Sequence, residues 1–255
     1  MAELTLDKIA RAKERIIIPL DVPSEEEALA LIKELKDQVG YFKVGLELLT
    51  SVGIGVVQKI RELGGKIFYD GKFKDIPNTV AGASRAVTRL GVDMFNVHSM
   101  GGLEMMEQAV KATKSESQRL GVKPPLVLAV TILTSINQEA MNNELRITGD
   151  LKDHVVHLAK LAEQAGLDGV IASPQEIEVI RRNLSKQMII ITPGIRPKWA
   201  AAQDQKRIMT PAEAISRGAF ALVIGRPITK PPSEIGSPVN AARIVAEEIA
   251  EALPD

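Results

Sequence analysis

The chain has 255 residues, of which 45% are hydrophobic and 25% are charged, proportions typical of one large globular domain. Its 32 basic and 32 acidic residues cancel, so the composition offers no electrostatic basis for binding nucleic acid or an anionic membrane. The absence of cysteine excludes disulfides, thiolate metal ligands and a cysteine nucleophile.

Residues 1–15 carry a charged, helix-forming pattern without an apolar core segment. We therefore expect an N-terminal helical extension here and not a secretory signal. No stretch of the sequence is long and apolar enough to predict a transmembrane helix. Together these features predict a cytoplasmic protein that binds neither nucleic acid nor membranes.

Eight short apolar runs rich in β-forming residues follow in chain order, and each predicts a strand. They are residues 16–21, 41–46, 66–70, 93–98, 126–133, 169–173, 188–193 and 220–225. The segments between them have helical periodicity. The first of these predicted helices starts after Ser24, with Glu27 three residues later, which is the spacing of a capping box.

The alternation of strands and helices, without a linker or a break in composition, predicts a parallel sheet. Eight is also the number of strands that closes a (β/α)8 TIM barrel. The alternative is a doubly wound open sheet, which usually has a glycine-rich phosphate turn after its first strand. Residues 20–24 read Leu-Asp-Val-Pro-Ser, without glycine. We therefore predict an α/β fold with a single TIM-barrel domain over residues 1–255.

In such barrels the chemistry lies where strands end and the following loops begin. The polar residues predicted at these positions include Asp21, Lys43, Asp70, Lys72, Asp75, Asn96, His98, Ser99, Thr131, Thr134, Ser135, Arg196 and Arg226. Asp70 and Lys72 are two residues apart in a predicted strand and are expected to share a face. Charges at the end of a core strand are costly to desolvate, and their clustering favours a charged substrate over a surface ion pair.

The loops after the seventh and eighth strands predict a phosphate site. Each places a glycine beside an arginine, as Gly194-Ile195-Arg196 and as Gly225-Arg226. Glycine lets backbone N–H groups approach phosphate oxygens, and arginine offers them a planar set of donors. Residues 197–207, long and polar, predict a mobile lid beside this site, with a surface loop as the alternative.

Several further motifs are spread along the chain. They are Leu20-Asp21, Phe42-Lys43-Val44-Gly45, Asp70-x-Lys72-x-x-Asp75-Ile76-Pro77-Asn78-Thr79, Val97-His98-x-x-Gly101-Gly102, Thr131-x-x-Thr134-Ser135, Thr192-Pro193-Gly194-Ile195-Arg196, Asp204-Gln205-Lys206-Arg207 and Gly225-Arg226-Pro227-Ile228. In these motifs the chain resembles the bacterial orotidine 5'-phosphate decarboxylases over nearly its whole length. Gly71 departs from the pattern, which has a larger apolar residue such as leucine at that position.

The resemblance implies decarboxylation of orotidine 5'-monophosphate to uridine 5'-monophosphate and CO2 in pyrimidine biosynthesis, with no cofactor and no metal. It also implies a homodimer with shared active sites. The implied catalytic residues are Lys72 as proton donor to C6, with Asp70, Lys43 and the Asp75 of a second subunit. The implied substrate-binding residues are Asp21 and Lys43 at the ribose, Asp70 at the departing carboxylate, Ile76 and Thr79 reaching the neighbouring subunit's site, Thr134 at the pyrimidine, and Arg196, Gln205, Gly225 and Arg226 at the phosphate.

Two alternatives remain open from the sequence. One is a Mg²⁺-dependent sugar-phosphate decarboxylase or lyase on the same scaffold, which has an acidic residue where this chain has Lys43. Glu47 lies close enough in sequence to keep a metal site in consideration. The other is a catalytically silent phosphate-binding barrel, which would not require the buried charges of Asp70, Lys72 and Asp75.

Overall fold

The computed structural model describes residues 5–200 and 209–254. Eight parallel strands form a closed barrel in the order in which they occur along the chain. They are β1 (Ile16–Pro19), β2 (Tyr41–Val44), β3 (Ile67–Phe73), β4 (Met94–His98), β5 (Leu126–Val130), β6 (Gly169–Ile171), β7 (Ile189–Pro193) and β8 (Ala221–Val223). The predicted TIM-barrel fold is confirmed, while a single domain over residues 1–255 stays a prediction.

Helices precede, separate and follow the strands. They are α1 (Leu6–Lys13), α2 (Glu25–Leu35), α3 (Leu46–Val52), α4 (Val56–Glu62), α5 (Pro77–Leu90), α6 (Leu103–Leu120), α7 (Gln138–Asn143), α8 (Leu151–Gln164), α9 (Ile177–Asn183), α10 (Pro211–Ser216), α11 (Arg226–Thr229) and α12 (Pro238–Ala252). The 3-10 helices among the described residues are Ser99–Gly101, Pro174–Glu176 and Lys198–Ala200. None of the helices in the described part of the chain is long and apolar enough to cross a membrane.

The described residues fall into two compact units. The first unit combines the chain up to Asp70 with the chain from Thr192 onwards, and the second unit is Gly71–Ile191. In the first unit β1 pairs with β2 and with β8, so that Ile17 lies beside both Tyr41 and Val223. Ile16, Ile17 and Ile18 are all fully buried. Three consecutive buried residues show that β1 is covered on both faces, as expected for a strand of a parallel sheet inside helices.

In the second unit the pairs β4–β5, β5–β6 and β6–β7 are parallel. Met94, Phe95 and Val97 of β4 and Val127, Leu128 and Ala129 of β5 are buried. Helices α5 and α6 accompany these strands, and α5 ends at Gly91, whose φ of 70° is the left-handed conformation that glycine adopts without steric cost. The eight observed strands overlap the eight predicted ranges, whereas several predicted strand ends differ from the observed ones.

Two local predictions can be compared with the structure. The Ser24 hydroxyl accepts a hydrogen bond from the Glu27 N–H at 3.2 Å, so Ser24 is the N-cap of α2 as predicted. Helix α1 lies within the predicted N-terminal extension. Of the predicted lid, residues 198–200 form a 3-10 helix, whereas residues 201–207 lie outside the described residues.

Candidate active site

Three charged side chains from the ends of β1, β2 and β3 meet in the first unit. Lys43 belongs to β2, and its Nζ lies 3.2 Å from Asp21 Oδ1 and 3.1 Å from Asp70 Oδ2. Asp70 is in β3, and Asp21 follows β1 by two residues. The register of the parallel strands brings these positions together, since Lys43 lies beside Pro19 on one side and Phe68 on the other.

Burial makes this group of charges electrostatically strong. The side chains of Lys43 and Asp70 are 13% and 7% exposed, whereas that of Asp21 is 54% exposed. Burial by itself would lower the pKa of Lys43, but the carboxylates of Asp70 and Asp21 outweigh it and raise that pKa. Lys43 is therefore a permanent cation at neutral pH, held between one buried and one solvated carboxylate.

Gly45 has no side chain and therefore leaves room for these three charged groups. A Cβ at Gly45 would lie 3.0 Å from Lys43 Nζ and 3.7 Å from both Asp21 Oδ1 and Asp70 Oδ2. Any larger residue would therefore have to move the ammonium. Gly45 has no predicted role from the sequence, because the need for space arises only from residues that are distant along the chain.

Lys72 is part of β3 but has an unusual backbone conformation. Its φ is 47°, in the left-handed region that costs an L-residue about 1–3 kcal/mol when the surroundings impose it. The regular alternation of side chains along a strand does not hold through such a residue. The prediction that Asp70 and Lys72 share a face assumed regular strand geometry, and it stays a prediction.

The Lys72 N–H donates a 2.7 Å hydrogen bond to Oδ1 of Asn96, a fully buried residue of β4. Asn96 appears in the sequence as one of several polar residues at strand ends, and nothing there distinguishes it from His98 or Ser99. Ser99 is also buried, and its hydroxyl donates to the Val130 carbonyl at 2.7 Å. The Ser99 hydroxyl is thus used in a structural hydrogen bond to β5.

The residues after β3 are exposed. Asp75, Ile76 and Thr79 are all on the surface of the chain, and Ile76 is 67% exposed. Helix α5 begins at Pro77, and its N-cap is Ile76 without a side-chain capping bond. Asp75 Oδ1 accepts a hydrogen bond from the adjacent Ile76 N–H at 2.6 Å. Asp75 is therefore not the N-cap of α5.

The predicted pyrimidine-binding residue, Thr134, is exposed and lies beyond the end of β5. Thr131, closer to the strand, is buried, and its hydroxyl donates to the Ile171 carbonyl at 3.2 Å. Thr131 therefore ties β5 to β6, while Thr134 stays accessible to a ligand.

The predicted phosphate-binding residues lie on the loops after β7 and β8. Gly194 has a φ of 75°, and the Arg196 N–H donates to the Met209 carbonyl at 3.2 Å. A Cβ on Gly225 would lie 3.1 Å from Pro19 Cγ, so glycine allows close packing against β1. Arg226 is exposed at the first residue of α11, and Gln205 lies outside the described residues.

Comparison with known proteins identifies the relatives of this chain. Residues 14–243 match the "Orotidine 5'-phosphate decarboxylase / HUMPS family". The chain belongs to this family. It is 52% identical to an orotidine 5'-phosphate decarboxylase from Syntrophomonas wolfei over 242 residues, covering 94% of this chain and 100% of that protein. The corresponding protein from Moorella thermoacetica is 49% identical over 238 residues, covering 93% of each chain.

Solved structures agree with this family assignment. A crystal structure of orotidine 5'-phosphate decarboxylase from Lactobacillus acidophilus has a TM-score of 0.81 and 35% identity, covering 92% of this chain and 98% of that one. An uncharacterized conserved protein from Geobacillus kaustophilus has a TM-score of 0.79 and 31% identity, covering 92% and 99%. The resemblance inferred from the motifs is therefore confirmed.

Proposed function

We propose that Lys72 is the proton donor in the decarboxylation of orotidine 5'-monophosphate, the reaction by which this carboxy-lyase serves UMP biosynthesis. The bond between C6 and the carboxylate breaks, CO2 leaves, and the electron pair remains on C6. The Lys72 ammonium then delivers a proton to C6, giving uridine 5'-monophosphate. No π-system spreads the charge on C6, so fixed charges of the protein must stabilise it.

The observation that carries this proposal is the buried ion pair of Lys43 with Asp70, at 3.1 Å, in a strand that continues to Lys72. Asp70 would face the departing carboxylate and favour its loss. A charge contact at about 4 Å is worth roughly 4 kcal/mol at an effective dielectric constant near 20. Enzymes lower barriers by about 8–23 kcal/mol, so one contact is insufficient and Lys43, Asp70, Lys72 and a partner's Asp75 would act together.

Binding roles complete the proposal. Asp21 and Lys43 would hold the ribose hydroxyls, and Thr134 the edge of the pyrimidine. The phosphate would be held by Arg196, Gln205, Gly225 and Arg226. Binding energy from this remote group can be used to order the charged residues around the reacting carbon.

We also propose that neither a metal nor an organic cofactor takes part. Lys43 Nζ lies within 3.2 Å of two carboxylates, Asp70 of β3 and Asp21 in the loop after β1, the place that a divalent cation would otherwise take. The ammonium neutralises these carboxylates and cannot be a metal ligand while protonated. The alternative function, a sugar-phosphate decarboxylase or lyase on the same scaffold, would instead require Mg²⁺.

A homodimer with shared sites is the third part of the proposal. Asp75, Ile76 and Thr79 are exposed on their own chain and would reach the partner's site. Two further large apolar side chains that follow strands of the same unit are exposed, Met100 at 37% and Leu133 at 39%. Covering them with a second subunit would remove apolar area from water. We further infer a cytoplasmic location, where pyrimidine nucleotides are made.

One assay tests the chemistry. Purified protein is mixed with orotidine 5'-monophosphate in EDTA, and the loss of substrate absorbance is followed. We expect full activity in EDTA, and we expect Lys72→Ala to lower kcat by several orders of magnitude without changing the circular dichroism spectrum. Activity that disappears in EDTA and returns with Mg²⁺ would contradict the metal-free mechanism. Near wild-type activity of Lys72→Ala would contradict the role of Lys72.

A further inference from the structure

A buried side chain of β4 holds the backbone of Lys72. The Lys72 N–H donates to Asn96 Oδ1 at 2.7 Å, and Asn96 has no exposed surface. Both residues belong to the unit Gly71–Ile191. This hydrogen bond involves the main chain of Lys72 and not its ammonium.

The bond coincides with the strained conformation at Lys72. A φ of 47° is disfavoured for a residue with a Cβ, so neighbouring groups must impose it. The preceding residue, Gly71, cannot do so, because glycine is the most flexible residue of the backbone. The amide of Asn96 can, since a fully buried side chain has few rotamers available and its oxygen is a fixed acceptor.

We propose that Asn96 is a positioning residue for Lys72. By fixing the Lys72 N–H, the Asn96 amide holds the left-handed conformation and thereby sets the direction in which the lysine side chain leaves β3. The inference rests on the proposed role of Lys72 as proton donor. Misplacing a reacting group by about 1 Å can lower the rate roughly 100-fold, so a bond that fixes this direction contributes to catalysis without touching the substrate.

The test removes the acceptor in two ways. Asn96→Ala deletes the amide, and Asn96→Ser keeps a small polar group whose oxygen falls short of the Oδ1 position. Both variants should lower kcat roughly 100-fold while KM stays within about threefold, because the phosphate and ribose contacts are unaltered. Calorimetric titration with uridine 5'-monophosphate should give wild-type stoichiometry and affinity. If Asn96→Ala fails to fold, Asn96→Ser decides the question.

Ser99→Ala is the matched control. It also removes a buried side-chain hydrogen bond beside the end of β4, but its partner is the Val130 carbonyl and it has no bond to Lys72. We expect Ser99→Ala to lower thermal stability while leaving kcat within about twofold of wild type. Loss of kcat in Ser99→Ala equal to that in the Asn96 variants would show that any disturbance of this strand end has the same effect, and would overturn the inference.

Two further measurements identify the mechanism. Hydrogen exchange of the Lys72 amide should be faster in both Asn96 variants than in wild type, and unchanged exchange would overturn the inference. In a Lys72→Ala background, adding Asn96→Ala should lower the residual kcat by less than about threefold, because Asn96 acts through Lys72.

The two proposals fail separately. A highly active Lys72→Ala protein would show that Lys72 is not the proton donor, and the inference that Asn96 positions it would then have no basis. An inactive Lys72→Ala protein together with fully active Asn96→Ala and Asn96→Ser proteins would overturn the role of Asn96 alone.

Discussion

Gly45 is a residue whose missing side chain matters. The position that a Cβ would take is 3.0 Å from Lys43 Nζ, closer than ordinary van der Waals contact allows. The φ of Gly45 is −106°, which alanine also adopts, so a substitution would disturb the ammonium and not the backbone.

We therefore expect Gly45→Ala to fold normally and to lower kcat/KM roughly tenfold, a loss of about 1.4 kcal/mol of transition-state stabilisation. Steady-state kinetics and thermal unfolding measure the two effects. Gly55→Ala is the control, since a Cβ there would meet nothing within 4 Å. If both variants have wild-type kinetics, the space at Gly45 is unimportant for the charges.

Glu176 is a buried acid outside the site already described. It is 6% exposed, and its side chain accepts a hydrogen bond from the Ser173 N–H at 2.9 Å. Burial raises its pKa from 4.5 to about 6, against the opposing effects of the Ser173 N–H and Lys152. Between these pH values the folded state binds more protons than the unfolded state, so this residue makes the protein less stable as pH rises.

The raised pKa of Glu176, about 6, corresponds to a destabilisation of about 2 kcal/mol above that pH. Glu176→Gln keeps an oxygen acceptor for the Ser173 N–H and cannot ionise. We expect it to raise the free energy of unfolding at pH 8 but to change it little at pH 4, as measured by urea denaturation. An equal effect at both pH values would show that ionisation of Glu176 is not the cause.

At the scale of elements, helices α5 and α6 are joined by a three-residue ion cluster. Glu116 of α6 is 5% exposed, and its carboxylate accepts from Arg119 at 2.7 Å and from Arg89 of α5 at 3.1 Å. The hydrogen bonds from Arg119, joined by those from Arg89 and opposed by desolvation, lower the pKa of Glu116 to about 2. Stability from this cluster is therefore present above the unfolded pKa of about 4.5 and is lost as pH falls toward 2.

We expect Arg89→Met to lower the melting temperature at pH 7 and to lower it less at pH 2.5, where Glu116 is already partly protonated. Thermal unfolding followed by circular dichroism gives both values. Glu116→Gln is the matched variant, because it removes the titrating group and should weaken the dependence of stability on pH below 4.5. A melting temperature that Arg89→Met lowers equally at both pH values would assign the effect to packing.

The elements themselves were predicted from periodicity, but their ends were not. Strand β5 was predicted to run to residue 133, whereas it ends at Val130. Strand β3 was predicted to end at residue 70, whereas it continues to Phe73. Where a strand ends depends on its hydrogen bonds to neighbouring strands, which local propensity does not contain.

At the scale of the whole molecule, the proposed sharing of active sites between two subunits leads to a prediction that needs two different chains. Lys72→Ala and Asp75→Asn chains should each be inactive alone, because each homodimer carries one lesion in both sites. A mixed dimer would have one site with both lesions and one site with neither. Since a two-fold interface builds two sites, mixing should restore activity as subunits exchange.

The measurement is activity against time after mixing, with exchange followed by fluorescence transfer between labelled chains. Restored activity should approach a quarter of that of wild type at equal concentrations, because about half of the dimers are mixed and each has one intact site. If the subunits exchange but activity does not recover, the shared site is contradicted, and Asp75 does not serve the site of a second subunit.

The sequence by itself determined the succession of strands and helices, the closed barrel and the family, because periodicity, capping residues and motifs are local properties of the chain. It also predicted that Asp21, Lys43 and Asp70 lie at strand ends. Only the tertiary structure decided that the Lys43 ammonium lies between the two carboxylates and that Gly45 leaves room for them. Likewise, the Lys72 N–H meets Asn96, 24 residues later. Distances between residues on different strands depend on how the strands pair and on their register, and no local pattern contains that information.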